Sequence, residues 1–357
     1  MAQLDPHLAI AQPGSDLLWY DALALPTTGR GWSRPHLAAP YDRLPATAEA
    51  IVRPEVWSLS RHSAGIEVRF TTDATEIAAR WTVTNPSLAM DHMPATGVSG
   101  VDLYVRNPEG WRWLGIGRPT ASPTNQACLV AGIPARGMRE YRLYLPLYNS
   151  ICELWLGVPS AAVLGPAALA SAKPVVVYGT SIVHGGCAAR PGMAYPAILG
   201  RQLDLPMINL GFSGNGRAEP EVAQLVASLD AAAFVIDPLP NLQPAQVSER
   251  MPVFLATLRA QHPTRPIIVV ENITYQQRDT LHPGRGGCVD KNVALRAVVG
   301  PLMANDAHLY LVPGRSLLGD DGEGTVDGTH PTDLGFMRIA AAIGPVLAGA
   351  LASASAS

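Results

Sequence analysis

The chain has 357 residues, room for two domains, and its 48% hydrophobic and 15% charged residues exclude wholesale disorder. A net charge of −3 without any long basic run argues against a nucleic-acid or anionic-membrane surface. The 4 cysteines, Cys128, Cys152, Cys187 and Cys288, share no CxxC spacing and read as free thiols, so neither a disulfide framework nor a structural zinc site is implied.

The first stretch, MAQLDPHLAIAQPGSDLLWY, lacks a basic n-region and carries an early Asp5, unlike a secretory signal, so a cytoplasmic location is the expectation. No apolar run reads as the roughly 18–20 residues of a membrane span. Residues 1 to about 160 then read as mostly β. Ile66, Val68 and Phe70 alternate with Glu67, Arg69 and Thr71, the pattern of a half-buried strand. Similar runs recur at 77–83, 101–106, 111–116, 141–147 and 151–158, separated by turn signals such as Asn85-Pro86 and Asn107-Pro-Glu-Gly110. Short strands at this spacing predict a β-sandwich, jelly-roll-like in character. Trp111 and Trp113, at alternate positions on one strand face, suit core or interdomain packing better than a sugar platform.

The segment Pro159–Ala172 is rich in small residues and uncharged, which places a domain boundary near residue 165: a β-sandwich over 1–165 and a second domain over 166–357. Beyond it strands alternate with helices. Strands are expected at 174–178, 207–211, 232–236, 266–271 and 308–312; helices near 193–203, 219–229, 247–261, 291–303 and 332–351, with Pro301 ending or kinking the fourth. Apolar runs buried on both faces with intervening helices give a doubly wound parallel α/β sheet. The tail ASASAS reads as low-complexity and frayed.

Four stretches carry the chemistry. Val175–Tyr178 is an apolar strand, and Gly179-Thr-Ser-Ile182 leaves it, placing Ser181 at a strand carboxyl end, where open α/β sheets bind ligands. Alone, Ser181 could equally be a helix cap. Asn209-Leu-Gly-Phe-Ser-Gly-Asn-Gly216 follows the second strand, Asp237-Pro-Leu-Pro-Asn241 the third, and Asp327-Gly-Thr-His-Pro331 precedes the last helix. In this order they resemble the four signature blocks of the SGNH (GDSL-type) hydrolases, from Lys173 to the C-terminus. Gly100-Val-Asp-Leu-Tyr104 is similar to the GxDLY signature of a β-sandwich domain that precedes some of these enzymes.

The resemblance implies a flavodoxin-like sheet and a serine esterase. It makes Ser181 the nucleophile, His330 the base and Asp327 the residue that orients it, since a serine hydroxyl needs a base within hydrogen-bond reach. His184, three residues after Ser181, is the alternative base. The implied oxyanion donors are the backbone N–H groups of Ser181 and Gly214 and the side-chain amide of Asn241. The bland alternatives are that Gly211, Gly214 and Gly216 only shape a turn and that Asn241 is a loop cap. Two blocks depart from the family pattern: GTSI stands for GDSL, and Asp-Pro-Leu-Pro-Asn for GxND. Gly179-Thr-Ser-Ile-Val183 does not encode the G-x-S-x-G elbow of α/β-hydrolases. For Asp102, pairing with a loop donor is a better fit than a place in the active site.

The polar, glycine-rich loop Thr274–Asp290 is expected to form a rim or lid, with Arg278 and Arg285 as candidate ligands for a polar substrate. The expected substrate is a small-molecule short-chain ester of a polar alcohol, such as an O-acetylated sugar. An acyltransferase of secondary metabolism using the same triad is one alternative, and a non-catalytic carbohydrate-binding protein the other. No cofactor or metal, and no nucleic-acid or membrane partner, is implied; the oligomeric state is not legible.

Overall fold

Period-two alternation turns the first half of the chain into antiparallel strands, and longer apolar runs turn the second half into a parallel sheet. The computed structural model describes residues 3–135, 137–169, 171–275, 281 and 287–356. Two units are distinct: Met1–Pro45, Arg61–Ser171 and Ala189–Gly192 form one, and Ala46–Ser60, Ala172–Ala188 and Met193–Ser357 the other. Residues 46–60 therefore belong with the second unit although they precede most of the strands of the first.

The first unit contains β1 (Ile10–Ala11), β2 (Leu17–Asp21), β3 (Thr27–Thr28), β4 (Glu67–Thr72), β5 (Glu76–Val83), β6 (Val101–Asn107), β7 (Gly110–Gly117), β8 (Thr124–Ala131), β9 (Arg139–Tyr144), β10 (Ile151–Pro159) and β11 (Leu164–Pro166). One antiparallel sheet has the order β1-β2-β10-β5-β8 and the other β11-β4-β9-β6-β7, with β3 added to β4. Their shared core takes Ile77, Trp81 and Leu156 from the first sheet and Val68, Phe70, Leu103 and Leu143 from the second. Fully burying a side chain of this size stabilises the fold by roughly 1.5–3 kcal/mol.

The polar face of β4 is not half-exposed as expected. Glu67 and Arg69 are buried. Glu67 lies 3.8 Å from Arg142 and accepts from the Thr28 hydroxyl at 2.8 Å, while Arg69 pairs with Glu140. Trp111 roofs these charges: the Arg142 guanidinium sits 4.0 Å from its ring centroid, and those of Arg106 and Arg69 at 5.2 and 5.3 Å. Paired and covered by an aromatic face, the charges can be buried. Asp102, fully buried, accepts from Trp113 Nε1 at 2.9 Å, Arg190 Nη1 at 2.8 Å and the Gly192 N–H at 2.9 Å, so it does pair with loop donors.

In the second unit β12 (Val175–Gly179), β13 (Met207–Gly211), β14 (Ala233–Asp237), β15 (Ile267–Val270) and β16 (Leu309–Val312) form a parallel sheet in the order β13-β12-β14-β15-β16. This is the flavodoxin-like order, in which the chain leaves β12 toward opposite edges and opens a crevice at the carboxyl ends. Every residue of β12, β13, β14 and β15 is buried, as two-sided cover requires. Among the described residues the helices named in chain order are α1 (Pro54–Ser60), α2 (Ala95–Val98), α3 (Ser181–His184), α4 (Tyr195–Gln202), α5 (Pro220–Ala227), α6 (Pro244–Gln261), α7 (Gly287–Met303) and α8 (Asp333–Ala356). Helix α7 ends two residues after Pro301.

Helix α8 corrects two expectations. Within Asp333–Ala354 an 18-residue window has a mean hydropathy of 1.7, so the helix is long and apolar enough to cross a membrane by length and composition. Phe336, Ile339, Ala340, Ile343, Leu347 and Ala350, at helical spacing, are buried against α4 and β16. The described part of the tail is helical and not frayed: the helix runs to Ala356, in keeping with alanine as the best helix former.

Candidate active site

The strand β12 ends at Gly179, and Thr180 turns the chain into α3. Thr180 is the N-cap: its hydroxyl accepts from the Ile182 N–H at 3.3 Å. That leaves Ser181, the first helical residue, without a capping duty. Its hydroxyl instead lies 2.9 Å from His330 Nε2.

His330 is delivered by a turn that its neighbours define. Asp327 Oδ1 accepts the N–H groups of Thr329 and His330 at 3.0 and 2.7 Å, and Gly328 takes φ +86° between them. The Val326 N–H to His330 carbonyl bond, 2.8 Å, closes the turn, and the Thr332 hydroxyl accepts from Gly335 at 3.1 Å to start α8. The second oxygen of Asp327 meets His330 Nδ1 at 2.7 Å. Burial pushes the Asp327 carboxyl up, but the hydrogen bonds from the His330 ring and from two backbone N–H groups outweigh it and hold it down to about 2. A carboxylate there can only accept, so Nδ1 carries the proton and Nε2 presents its lone pair to Ser181. His184 is buried at the other end of α3, and it is His330 that meets the Ser181 hydroxyl.

The glycine loop after β13 lies against the end of β12. Phe212 donates to the Gly179 carbonyl at 2.9 Å. A Cβ on Gly216 would stand 2.2 Å from that same oxygen, so only glycine fits this close approach. Gly214 is exposed, has φ +68°, and a Cβ there would meet nothing within 4 Å. Its role is therefore not packing, and its backbone is open to a ligand. Asn241 ends a 3-10 turn, Leu239–Asn241, in which proline replaces the glycine of the usual block. Its Oδ1 accepts from the Gly216 N–H at 3.2 Å. This fixes the amide plane and turns the two Nδ2 hydrogens away from Gly216. Ser181, His330 and Asp327 are thus joined in one hydrogen-bonded line, and Asn241 is joined to the glycine loop beside the β12 end.

Several supporting residues were not evident from sequence. Arg53 reaches the glycine loop from residues 46–60, with Nη1 2.8 Å from Asn215 Oδ1. Lys291, buried at the start of α7, donates to the Pro240 carbonyl at 3.1 Å beside Asn241. Asp237, buried at the end of β14, accepts from the Tyr195 hydroxyl at 3.1 Å; burial pushes its carboxyl up to about 8, only partly offset by that bond. No local signal betrays Arg53 or Tyr195, since each meets its partner across a long stretch of chain. Arg278 and Arg285, proposed as substrate ligands, lie outside the described residues.

Comparison with known proteins adds the following likenesses. The model of the GDSL-like lipase/acylhydrolase family matches residues 172–348, and that of the N-terminus of SGNH-hydrolase-type esterases matches residues 17–164. A crystal structure from Bacteroides ovatus ATCC 8483, described as a GDSL-like lipase, is 35% identical with a TM-score of 0.87, covering 94% of this chain and 98% of its own. A salicylyl-acyltransferase from a tetracycline biosynthetic pathway is 19% identical with a TM-score of 0.70, covering 96% of both chains. A family two carbohydrate esterase from Cellvibrio japonicus is 15% identical with a TM-score of 0.55, covering 81% of this chain and 89% of its own. The last two are likenesses of fold. No curated protein matches the chain by sequence.

Proposed function

The chain belongs to the GDSL-like lipase/acylhydrolase family and is an ester hydrolase, and from that premise we propose that it removes short acyl groups from a polar alcohol through Ser181, His330 and Asp327. The observation that carries this reading is the pair of hydrogen bonds at 2.9 and 2.7 Å that link Ser181 Oγ, the His330 ring and the Asp327 carboxylate.

In the proposed mechanism Ser181 Oγ attacks the ester carbonyl carbon while His330 Nε2 takes the hydroxyl proton. The former carbonyl oxygen becomes an oxyanion, received by the N–H groups of Ser181 and Gly214 and by Asn241 Nδ2. Such pre-set donors act on charge that exists only in the transition state, which is why they raise turnover rather than binding. Collapse expels the alkoxide, which takes the proton from His330, and leaves an acyl-serine. Water, deprotonated by the same nitrogen, then attacks the acyl carbon; the bond to Ser181 Oγ breaks, His330 returns the proton to Oγ, and the carboxylic acid leaves. Asp327 stabilises the imidazolium at both stages without taking a proton itself.

A polar, sugar-like alcohol is favoured over a lipid by the polar composition of residues 274–290, which follow β15 in the sequence. The fold likeness to a carbohydrate esterase, and to a relative from Clostridium thermocellum solved with cellohexaose, is in keeping with it. The likeness in fold to a salicylyl-acyltransferase motivates the second reading, transfer of the acyl group to an alcohol instead of water. One panel separates them: p-nitrophenyl esters of graded chain length and acetylated sugars, with and without alcohol acceptors. The expected result is fastest turnover on acetyl esters, with free acetate released at the same rate whether or not acceptor is present. Acylated acceptor at the expense of free acid would favour the transferase, and a preference for long chains would overturn the substrate class.

A further inference from the structure

The glycine loop that carries Gly214 has no regular secondary structure between the end of β13 and the start of α5. A donor N–H on such a loop helps catalysis only if it is held in place beforehand, and a displacement of about 1 Å can cost on the order of 10² in rate. Glycine at positions 214 and 216 makes the loop intrinsically loose. Something outside the loop has to fix it.

Arg53 spans it. Its Nη1 donates to Asn215 Oδ1 at 2.8 Å, its Nη2 reaches the Asn215 carbonyl at 3.5 Å, and its Nε donates to Glu219 Oε1 at 2.7 Å. One planar guanidinium thus ties the residue next to Gly214 to the N-cap of α5, four positions on. Asn215 relays the hold inward: its N–H bonds the Phe212 carbonyl at 2.8 Å and its Nδ2 the Ser213 carbonyl at 2.9 Å. The Arg53 side chain is 32% exposed and that of Glu219 14%, so solvent screens their ion pair in part. What its fork supplies is geometry, two directions of hydrogen bond from one rigid plane.

We propose that Arg53 is a positioning residue for the oxyanion pocket, holding the turn at Ser213–Gly216 so that the Gly214 N–H is aimed before substrate arrives. This deepens the hydrolase reading above and rests on it. It also makes residues 46–60 part of the catalytic machinery: a fragment starting at residue 172 would lack Arg53.

The test is steady-state hydrolysis of p-nitrophenyl acetate by full-length Arg53→Ala, Arg53→Met and Asn215→Ala, each beside its melting curve, with Ser181→Ala as reference. The expected result is a kcat at least about tenfold lower in all three, with KM within about twofold and an unaltered pH profile, because His330 and Asp327 are untouched. The double variant Arg53→Ala/Asn215→Ala should be no worse than the poorer single one. Arg53 lines an open groove of about 440 Å³ with Val56, Val222 and Val253, so ethylguanidinium should enter the Arg53→Ala protein and restore part of its kcat while leaving wild type unchanged. A role in stability alone would lower the melting temperature with kcat within twofold, and this would overturn the proposal. So would a rise in KM at unchanged kcat, which would make Arg53 a substrate contact. If an Arg53 variant does not fold, Asn215→Ala, which keeps the Arg53–Glu219 pair, decides alone. Full kcat in these variants with a dead Ser181→Ala would remove this proposal and spare the hydrolase reading. An active Ser181→Ala would remove the hydrolase reading itself.

Discussion

Replacing Asp327 by asparagine tests how the site sets the state of its histidine. The amide oxygen of asparagine can still accept the Thr329 and His330 N–H groups that shape the turn, at 3.0 and 2.7 Å in the native protein. Its NH₂ would then face His330 Nδ1, where the carboxylate now sits at 2.7 Å, and two donors cannot share that contact. The ring has to flip its tautomer, placing a proton on Nε2 and depriving Ser181 of its base. In a fully buried triad this exchange costs about 10⁴ in kcat. Here the Asp327 side chain is 37% exposed, so water can take over part of its work. The expected loss is therefore smaller, about 10³, or about 4 kcal/mol at about 1.4 kcal/mol per tenfold. Asp327→Ala, which admits water at Nδ1, should lose no more than Asp327→Asn. The assay is kcat on p-nitrophenyl acetate, with circular dichroism to show that the turn and α8 persist. Activity of Asp327→Asn within tenfold of wild type would refute the tautomer argument.

Three further outcomes follow from individual contacts. Asn241→Ala should lower kcat by about 10²–10³ with KM within threefold, since its amide is oriented by Gly216 toward charge that develops only in the transition state; a change confined to KM would make it a binding residue. Gly216→Ala puts a Cβ 2.2 Å from the Gly179 carbonyl and should destabilise by about 1–3 kcal/mol, whereas Gly214→Ala meets no neighbour and should cost only the left-handed backbone, about 1–2 kcal/mol; a larger drop in melting temperature for Gly214→Ala would contradict the packing account. Burial raises the Asp237 carboxyl from near 3.8 to about 8, so between these values the folded state holds a proton that the unfolded state lacks, and stability from this group falls as pH rises. Urea unfolding at pH 5, 6.5 and 8 should show Asp237→Asn losing less stability with rising pH than wild type, by up to about 1.4 kcal/mol per pH unit; parallel slopes would show that Asp237 does not hold its proton.

The parallel sheet was legible because burial on both faces leaves a signal in every residue: Val175–Tyr178 and Ile267–Val270 are apolar throughout. Strand β8, Thr-Asn-Gln-Ala-Cys-Leu-Val-Ala, was missed because an edge strand with a polar first half has no such pattern. The polar face of β4 was read as solvated because alternation cannot reveal that Trp111 will cover it. The tail was misjudged because low complexity was weighed above alanine's helix propensity. Within the site, Asp327 and His330 could be paired from their spacing, which a single turn accommodates, and motif order supplied Ser181, Gly214 and Asn241. Arg53 could not be found this way. It meets Asn215 across 162 positions, and the segment that carries it reads as part of the first domain.

Formation of an acyl-enzyme on Ser181 is the central claim, and peptide mass spectrometry after treatment with a serine-reactive phosphonate tests it most directly. One adduct is expected, on the peptide containing Ser181, formed in step with loss of esterase activity and absent from Ser181→Ala and, on the same time scale, from His330→Ala. An adduct on another residue, or full esterase turnover by Ser181→Ala, would contradict it.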